Sequence, residues 1–312
     1  MHYNAFPGPG SFYKGCLHTH STRSDGQLSP QEVIAVYRRS GYAFTALTDH
    51  NLFNRDSYGA PENFLVLPGM EMQINQFDSA GVCKCHHFVA LARGSEGMSH
   101  DELMESGVFT AVSDVQAIID RLAAAGNLVM LCHPVWSNTA LPDYGSLKGL
   151  FAVEVFNSGC HYEHENGFSH TQWNDMLRTG VRLYAAAVDD AHRLEHMAGG
   201  WIQAYARELS VPAILDSLEN GRFYASTGPE IHELFIEGNE LTVRCSPCQR
   251  VFLMSDRIGN AGNRLAVPGG AGTIMEARFT LPAGVRYIRI ECVSGENKIA
   301  WSQPIWMDET ES

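Results

Sequence analysis

Between Lys14 and about Leu218, short apolar runs of strand length alternate with longer stretches whose apolar positions recur every three to four residues. "GCLH", "AFTALTDH", "NFLVLPGMEM", "HHFVALA", "NLVMLCHP" and "FAVEVFN" read as strands, and "VRLYAAAVDDAH" opens with one. "SPQEVIAVYRRSG" predicts a helix with Ser29 as N-cap, Pro30 in the first position, Glu32 closing a capping box and Gly41 as the stop. "SDVQAIIDRLAAAG" predicts a capped helix ending at Gly126. The stretch from Glu163 to Thr179 reads as helical, and "SVPAILDSLENG" as a final capped helix. Strand–helix alternation of this kind predicts a parallel sheet with helical crossovers. After Gly228-Pro229 the texture changes to short β-like segments separated by Gly, Asn and Pro, with no long helix. The predicted division is 1–228, a β/α unit, and 229–312, a small all-β, sandwich-like unit. The acidic end "MDETES" is expected to fray.

Composition narrows the function classes. The chain has 312 residues, 45% of them apolar, enough for one large or two smaller cores. No run approaches the ~20 apolar residues that span a bilayer, and the first residues lack the pattern of a secretion signal, so a cytoplasmic protein without a membrane partner is expected. The net charge of −13, with no basic run, argues against a nucleic-acid polymer as partner. Oligomeric state is left open. The eight scattered cysteines do not suggest a disulfide framework. "CSPC" at Cys245 to Cys248 has no second pair and no neighbouring His, so it reads as a turn in a β-hairpin.

Histidine stands out, at 14 residues. At this frequency chance alone gives roughly 0.6 HxH pairs, so "HTH" means little without its context. That context is positional. His18 and His20, His50, Glu71, His133, Asp190 and His192 all fall at the C-terminal ends of predicted strands. In a parallel β/α barrel such ends converge on one face, where active sites lie. His18 and His20 share one side of an extended segment, because side chains alternate. Asp25 follows in a loop. "CHHFVAL" offers His86 or His87. So many donors exceed one tetrahedral zinc and suit two or three adjacent divalent ions.

The ordered series HxH, an acidic residue shortly after, xDH, a Glu, His before an apolar run, HP and DxH resembles the PHP (polymerase and histidinol phosphatase) metal-dependent phosphoesterases. It covers roughly residues 15 to 195. The resemblance implies a distorted (β/α)7 barrel, here with a small C-terminal all-β domain. It implies up to three ions, manganese, iron or zinc, and hydrolysis of phosphate esters. It assigns ligand roles to His18, His20, Asp25, His50, Glu71, His87, His133, Asp190 and His192. His87 is preferred over His86 because "FVAL" follows it, and DxH spacing selects Asp190, leaving Asp189 to support or cap.

The expected chemistry is attack on phosphorus by a metal-activated water, with no nucleophilic side chain. Glu71, Asp190 and His192 stand nearest that chemistry. His192, His20 or a water could protonate the leaving group. Arg23 and Arg193 are candidate phosphate clamps, and Glu154 and Asn157 could line the mouth or brace a ligand. The expected substrate is a small phosphorylated metabolite, a nucleotide or sugar phosphate. Two alternatives stay open: hydrolysis of a carboxylic ester, amide or carbamate, and a non-catalytic carbohydrate- or protein-binding module on a vestigial barrel. His161 and His164 read as surface at a helix start. His100, His170, His196 and His232 match no motif and read as surface or packing.

Overall fold

The computed structural model describes residues 1–93, 107–257, 263–266 and 272–310; His100 lies outside them. Three sheets organise the chain. A six-stranded sheet runs in the order Tyr184–Val188, Leu150–Asn157, Asn127–Leu131, Gly81–Ala92, Gly69–Asp78, Gly107–Val108. A ten-stranded sheet contains Ser11–Cys16, Phe44–Ala46 and Leu65–Leu67 in parallel at one end. It continues through Trp201–Ala206 and Phe223–Ser226 into Ile299–Ser302, Tyr287–Val293, Arg250–Ser255 and Asn263–Ala266. The third sheet is antiparallel: His2–Asn4, Ile231–Glu237, Glu240–Cys248 and Ile274–Thr280.

The expected parallel sheet with helical crossovers holds in part, in a mixed α/β fold, and the hydrogen bonding shows no closed barrel among the described residues. Gly81–Ala92 runs antiparallel to both neighbours, joined to Gly69–Asp78 by a tight hairpin instead of a helical crossover. Trp201–Ala206 is antiparallel to Ser11–Cys16. Isolated parallel bridges, Thr19–Ala191 and His50–Glu71, lie between the six- and ten-stranded sheets. Both bridges involve or flank the residues of interest.

Strand parity builds two cores from one sheet. In Gly81–Ala92, Val89 and Leu91 face a core shared with Leu17, Phe44, Met130, Ala186 and Ile202 of the two sheets. Phe88, Ala90 and Ala92 face a second core, with Val115, Ile119 and Leu122 of helix Val112–Ala124 and Trp173 and Met176 of helix His170–Thr179. A third core packs the antiparallel sheet against Tyr287–Val293 and its neighbours.

Local signals act largely as the sequence indicates, with informative exceptions. Helix Pro30–Arg39 has its full capping box: the Ser29 hydroxyl accepts from the Glu32 amide at 3.4 Å, and the Glu32 carboxylate accepts from the Ser29 amide at 2.8 Å. Helix Val211–Glu219 starts on Ser210 as expected. Helix Val112–Ala124 begins before Ser113, because Asp114 reaches back to the amides of Thr110 and Ala111 at 2.9 and 3.0 Å and closes the turn instead. The stretch expected to be one helix from Glu163 is two, Ser158–His164 and His170–Thr179, divided where Glu165 turns left-handed at φ 55°.

Beyond residue 229 every described strand is antiparallel to its partners, and among the described residues the only helical element is the short turn Met307–Glu309. Hydrogen bonding crosses the 228/229 position: Phe223–Ser226 pairs with Ile299–Ser302, and His2–Asn4 with Ile231–Glu237. The acidic end does not fray through Thr310, which is buried, because Arg182 pairs with Asp308 and Glu309. All eight cysteines are free thiols. No helix among the described residues is long and apolar enough to cross a membrane.

Candidate metal centre

The site gathers where strands end. His18 and His20 follow Ser11–Cys16, His50 follows Phe44–Ala46, His133 follows Asn127–Leu131, and Asp190 and His192 follow Tyr184–Val188. Glu71 departs from expectation. Its strand does not end there but begins at Gly69, just after Pro68 interrupts the pairing, so Glu71 enters near the start of Gly69–Asp78. That placement puts a buried carboxylate at the centre.

Glu71 Oε2 lies 3.3 Å from His18 Nε2, 3.2 Å from His20 Nε2 and 3.0 Å from His50 Nδ1. Its Oε1 lies 2.8 Å from His87 Nδ1 and 3.2 Å from His133 Nε2. Asp190 Oδ1 stands 3.3 Å from His18 Nε2 and 3.1 Å from His20 Nε2. Asp25, half-exposed in its loop, faces His20 Nδ1 at 3.5 Å, His192 Nε2 at 3.4 Å and His50 Nε2 at 3.6 Å. Gly26 makes that loop possible, since a Cβ there would sit 2.7 Å from the His20 carbonyl carbon. The structure thus brings the nine residues singled out by the sequence series together, with Glu71 among them at the centre.

His86 is not among them. Odd positions of its strand face the core with the site, and even positions face the helices, so His87 reaches Glu71 while His86 packs between Phe88 and Phe109. Burial in that apolar layer pushes His86 down to about 4. Burial also opposes charge on His87, but the Glu71 carboxylate outweighs it and lifts the ring to about 10. Around Glu71 itself burial disfavours the carboxylate, yet His18, His87 and His50 hold it well below the ordinary range.

The donor set fits divalent cations. Three overlapping groups each place their ligand atoms within 4.8 Å of one another: His18, His20, Glu71 and Asp190; His20, Asp25, His50 and His192; and His50, Glu71 and His87. His18 and His20 point their Nε2 atoms at each other, 3.2 Å apart. Among the described residues, the buried Glu71 Oε2, Asp190 Oδ1 and His87 Nε2 have no hydrogen-bond partner. Orphaned buried atoms of this kind are costly unless something else satisfies them. Imidazole and carboxylate donors are those that zinc, manganese and iron accept. His133 and Asp190 also hold left-handed backbones, φ 24° and 49°, conformations that cost a non-glycine residue energy and persist only where surrounding contacts fix them.

A supporting layer fixes the donors. Glu154, buried, accepts from His18 Nδ1 at 2.6 Å, from the His133 amide at 2.8 Å and from Asn157 Nδ2 at 2.9 Å. That bond leaves His18 Nε2 facing the centre. Asn157 also donates to Asp190 Oδ2 at 3.1 Å. Asp189 accepts from the amides of Ala198, Gly199 and Gly200 and from the Tyr37 hydroxyl, pinning the loop that carries Asp190 and His192. Asp49 does the same for the His20 loop through Ser21, Ser24 and Asn54.

A cavity of about 510 Å³ opens over the centre. Arg193 lines it, paired with Glu163 and donating through Nε to His196 Nε2 at 2.8 Å. Arg23 does not line it: its guanidinium is held by Asn54 and Tyr58. Residues the sequence did not single out complete the wall. Gln73 shares a strand face with Glu71, which parity could have shown. Trp136 stands over His133 and His87 with centroids 4.9 and 5.8 Å away. His196, expected on the surface or in packing, is buried and lines the cavity. Of the other unmatched histidines, His170 accepts from Trp301 Nε1 and His232 is exposed. His161 packs against Phe156 and Phe168, and His164 is exposed.

No family model matches the chain. Its stretch of similarity to DNA polymerase/3'-5' exonuclease PolX of Bacillus subtilis is 34% identical over 79 residues, which is 20% of this chain and 14% of that protein. Among solved structures it is similar to a two-domain protein from Bacteroides vulgatus containing a predicted PHP-like metal-dependent phosphoesterase. The identity is 15% and the TM-score 0.48, with 95% of this chain and 96% of that one covered. It is also similar to the lesion-specific endonuclease PfuEndoQ of Pyrococcus furiosus, at 11% identity and TM-score 0.43, covering 67% and 56% of the two chains. PHP-like metal-dependent phosphoesterases are thus among its structural neighbours. The expectation that no nucleic-acid polymer is a partner rests on the net charge of −13 and gains no support from these likenesses.

Proposed function

We propose that the chain is a metal-dependent phosphoesterase whose natural substrate is a small phosphorylated metabolite. The observation that carries this reading is the convergence of five imidazoles on Glu71, with Asp25, Asp190 and His192 beside them, beneath an open cavity. In this reading His18, His20, Asp25, His50, Glu71, His87, His133, Asp190 and His192 hold two or three divalent ions. Such ions would supply an acidified water and a positive field for the phosphoryl oxygens. Three dications against three ligand carboxylates leave the centre cationic within an acidic protein, which is how a phosphate dianion would be drawn in.

The chain's own groups divide the remaining work. Glu71 belongs to two of the donor groups and would keep the ions they hold close together. Asp190's neighbour His192 shows 31% of its side chain to the cavity, whereas His20 is fully buried; His192 is therefore the imidazole placed to return a proton to the leaving oxygen. Arg193 takes the phosphate from the cavity wall, exchanging Glu163 for it, while Arg23 steadies the loop that carries Asp25. Residues 1–228 are read as the unit that carries the site, and 229–312 as a β-rich appendage.

Elemental analysis of the purified protein, paired with phosphate release from a panel of sugar phosphates, nucleotides and short oligonucleotides, tests the proposal. Two or more equivalents of manganese, iron or zinc with turnover of metabolite monoesters is the expected result. Metal-loaded protein inert on every phosphoester overturns it, and turnover confined to oligonucleotides replaces the metabolite reading.

A further inference from the structure

The C-terminal region contains a second set of ligand-type side chains, separate from the centre above. Cys245, Cys248 and Cys292 place their sulfurs within 4.8 Å of one another, all three buried. Cys245 and Cys248 belong to strand Glu240–Cys248, so "CSPC" is not the hairpin turn expected of it. Cys292 comes from Tyr287–Val293 in the ten-stranded sheet, 44 positions beyond Cys248 in sequence, and the trio joins the two sheets across the core between them.

The strand's irregularity is the informative feature. Residues three apart on a regular strand face opposite sides. Here Arg244 pairs with Glu276 and Cys248 with Ile274, so one strand advances four residues while its partner advances two. Ser246 and exposed Pro247 take up the excess, and the phase slip turns both thiols inward towards Cys292. Packing alone would need no such interruption, since any small apolar side chain on a regular strand fills a core position. The interruption costs ladder bonds, and what it gains is three convergent sulfurs.

We propose that Cys245, Cys248 and Cys292 form a binding site for a soft, thiophilic cation that ties the two C-terminal sheets together. The set found is sulfur only, with neither imidazole nor carboxylate in it. Three sulfurs suit cuprous copper, whereas zinc asks for a fourth donor, for which the Ile274 carbonyl, 3.7 Å from Cys245 Sγ, is the near one. The proposal does not depend on the phosphoesterase reading.

The test titrates the full-length, reduced, metal-free protein with cuprous ion and, separately, with cobalt(II) as a stand-in for zinc, following thiolate-to-metal charge-transfer absorption. One equivalent of cuprous ion should raise the band. Cys248→Ser and Cys292→Val should each abolish it, and Cys132→Ala, which alters the thiol beside His18, should leave it intact. A band with cobalt alone assigns zinc. X-ray absorption at the metal edge of the wild type should count three sulfurs, and that count decides the matter if a variant fails to fold. No band with either ion, a band that survives both variants, or a shell of nitrogen and oxygen overturns the proposal.

Discussion

The two buried donor clusters sit in opposite media. Around Glu71 the imidazoles are interleaved with carboxylates, backed by a hydrogen-bonded layer in which Glu154, Asp189 and Asp49 accept and Asn157 donates, and open to a cavity. The cysteine trio lies among Ile231, Val243, Leu253 and Ile290, with no cavity described over it. The first arrangement tolerates several dications and exchanging water; the second offers polarisable sulfur in a dry core. A chain can thus carry borderline-hard and soft donor sets side by side, separated by what surrounds them more than by distance in sequence.

The contrast breaks most sharply at Glu71. Glu71→Gln removes the charge shared by five imidazoles, and is expected to release metal and cut phosphate release by on the order of 10³-fold or more. Elemental analysis beside a turnover assay measures both. Retained metal with retained rate would remove Glu71 from the centre. The cysteine band should be untouched by this change.

Protons should compete with metal at the first cluster. Without metal, Glu71 holds His87 protonated up to about 10, and carboxylates hold His18 well above the ordinary imidazole range. Both shifts are upward, so loading must expel protons at neutral pH. Apparent affinity should therefore rise between pH 6 and 9, by about tenfold per unit for each proton displaced. Calorimetry in buffers of different ionisation enthalpy counts those protons, and zero released at pH 8 would contradict the arrangement.

Glu154 tests the supporting layer. Glu154→Gln can still accept from a backbone amide but no longer holds His18 with a charge, and a loss of ~10–100-fold in metal affinity or activity is expected. Glu154→Asp should recover part of it. Arg193→Ala should act on substrate alone, raising KM by about tenfold with kcat and metal content little changed; an unchanged KM assigns Arg193 to holding Glu163 and His196 in place.

How far the sequence revealed these clusters follows from what each is made of. Most of the residues proposed as metal ligands sit in local motifs, HxH, xDH, HP and DxH, that follow strands, so spacing and periodicity find them. Glu154 and Asn157 could be placed near the mouth but not assigned a task, because their partners lie 136 and 33 positions away in sequence. Gly81–Ala92 reads as a strand by alternation, yet nothing in alternation gives direction, and its antiparallel course departs from the expected parallel sheet. The cysteine trio was hidden twice, by a bulge that reverses parity and by a third ligand on another sheet.

The smallest effect expected is the most discriminating, because it turns on parity alone. His86 and His87 are adjacent, both buried, and identical in chemistry; strand alternation sends one into the Phe88–Phe109 layer and the other to Glu71. Neither ring nitrogen of His86 has a hydrogen-bond partner among the described residues. Burying such groups unsatisfied costs about 1–3 kcal/mol, so His86→Leu should leave metal content and turnover unchanged and stabilise the fold by ~1 kcal/mol. That is a rise of a few degrees in Tm at most. His87→Leu, the same change one residue on, should lose metal. If instead His86→Leu lost metal and His87→Leu kept it, the register of Gly81–Ala92 would be displaced by one residue, and the face assigned to every side chain on that strand would be reversed.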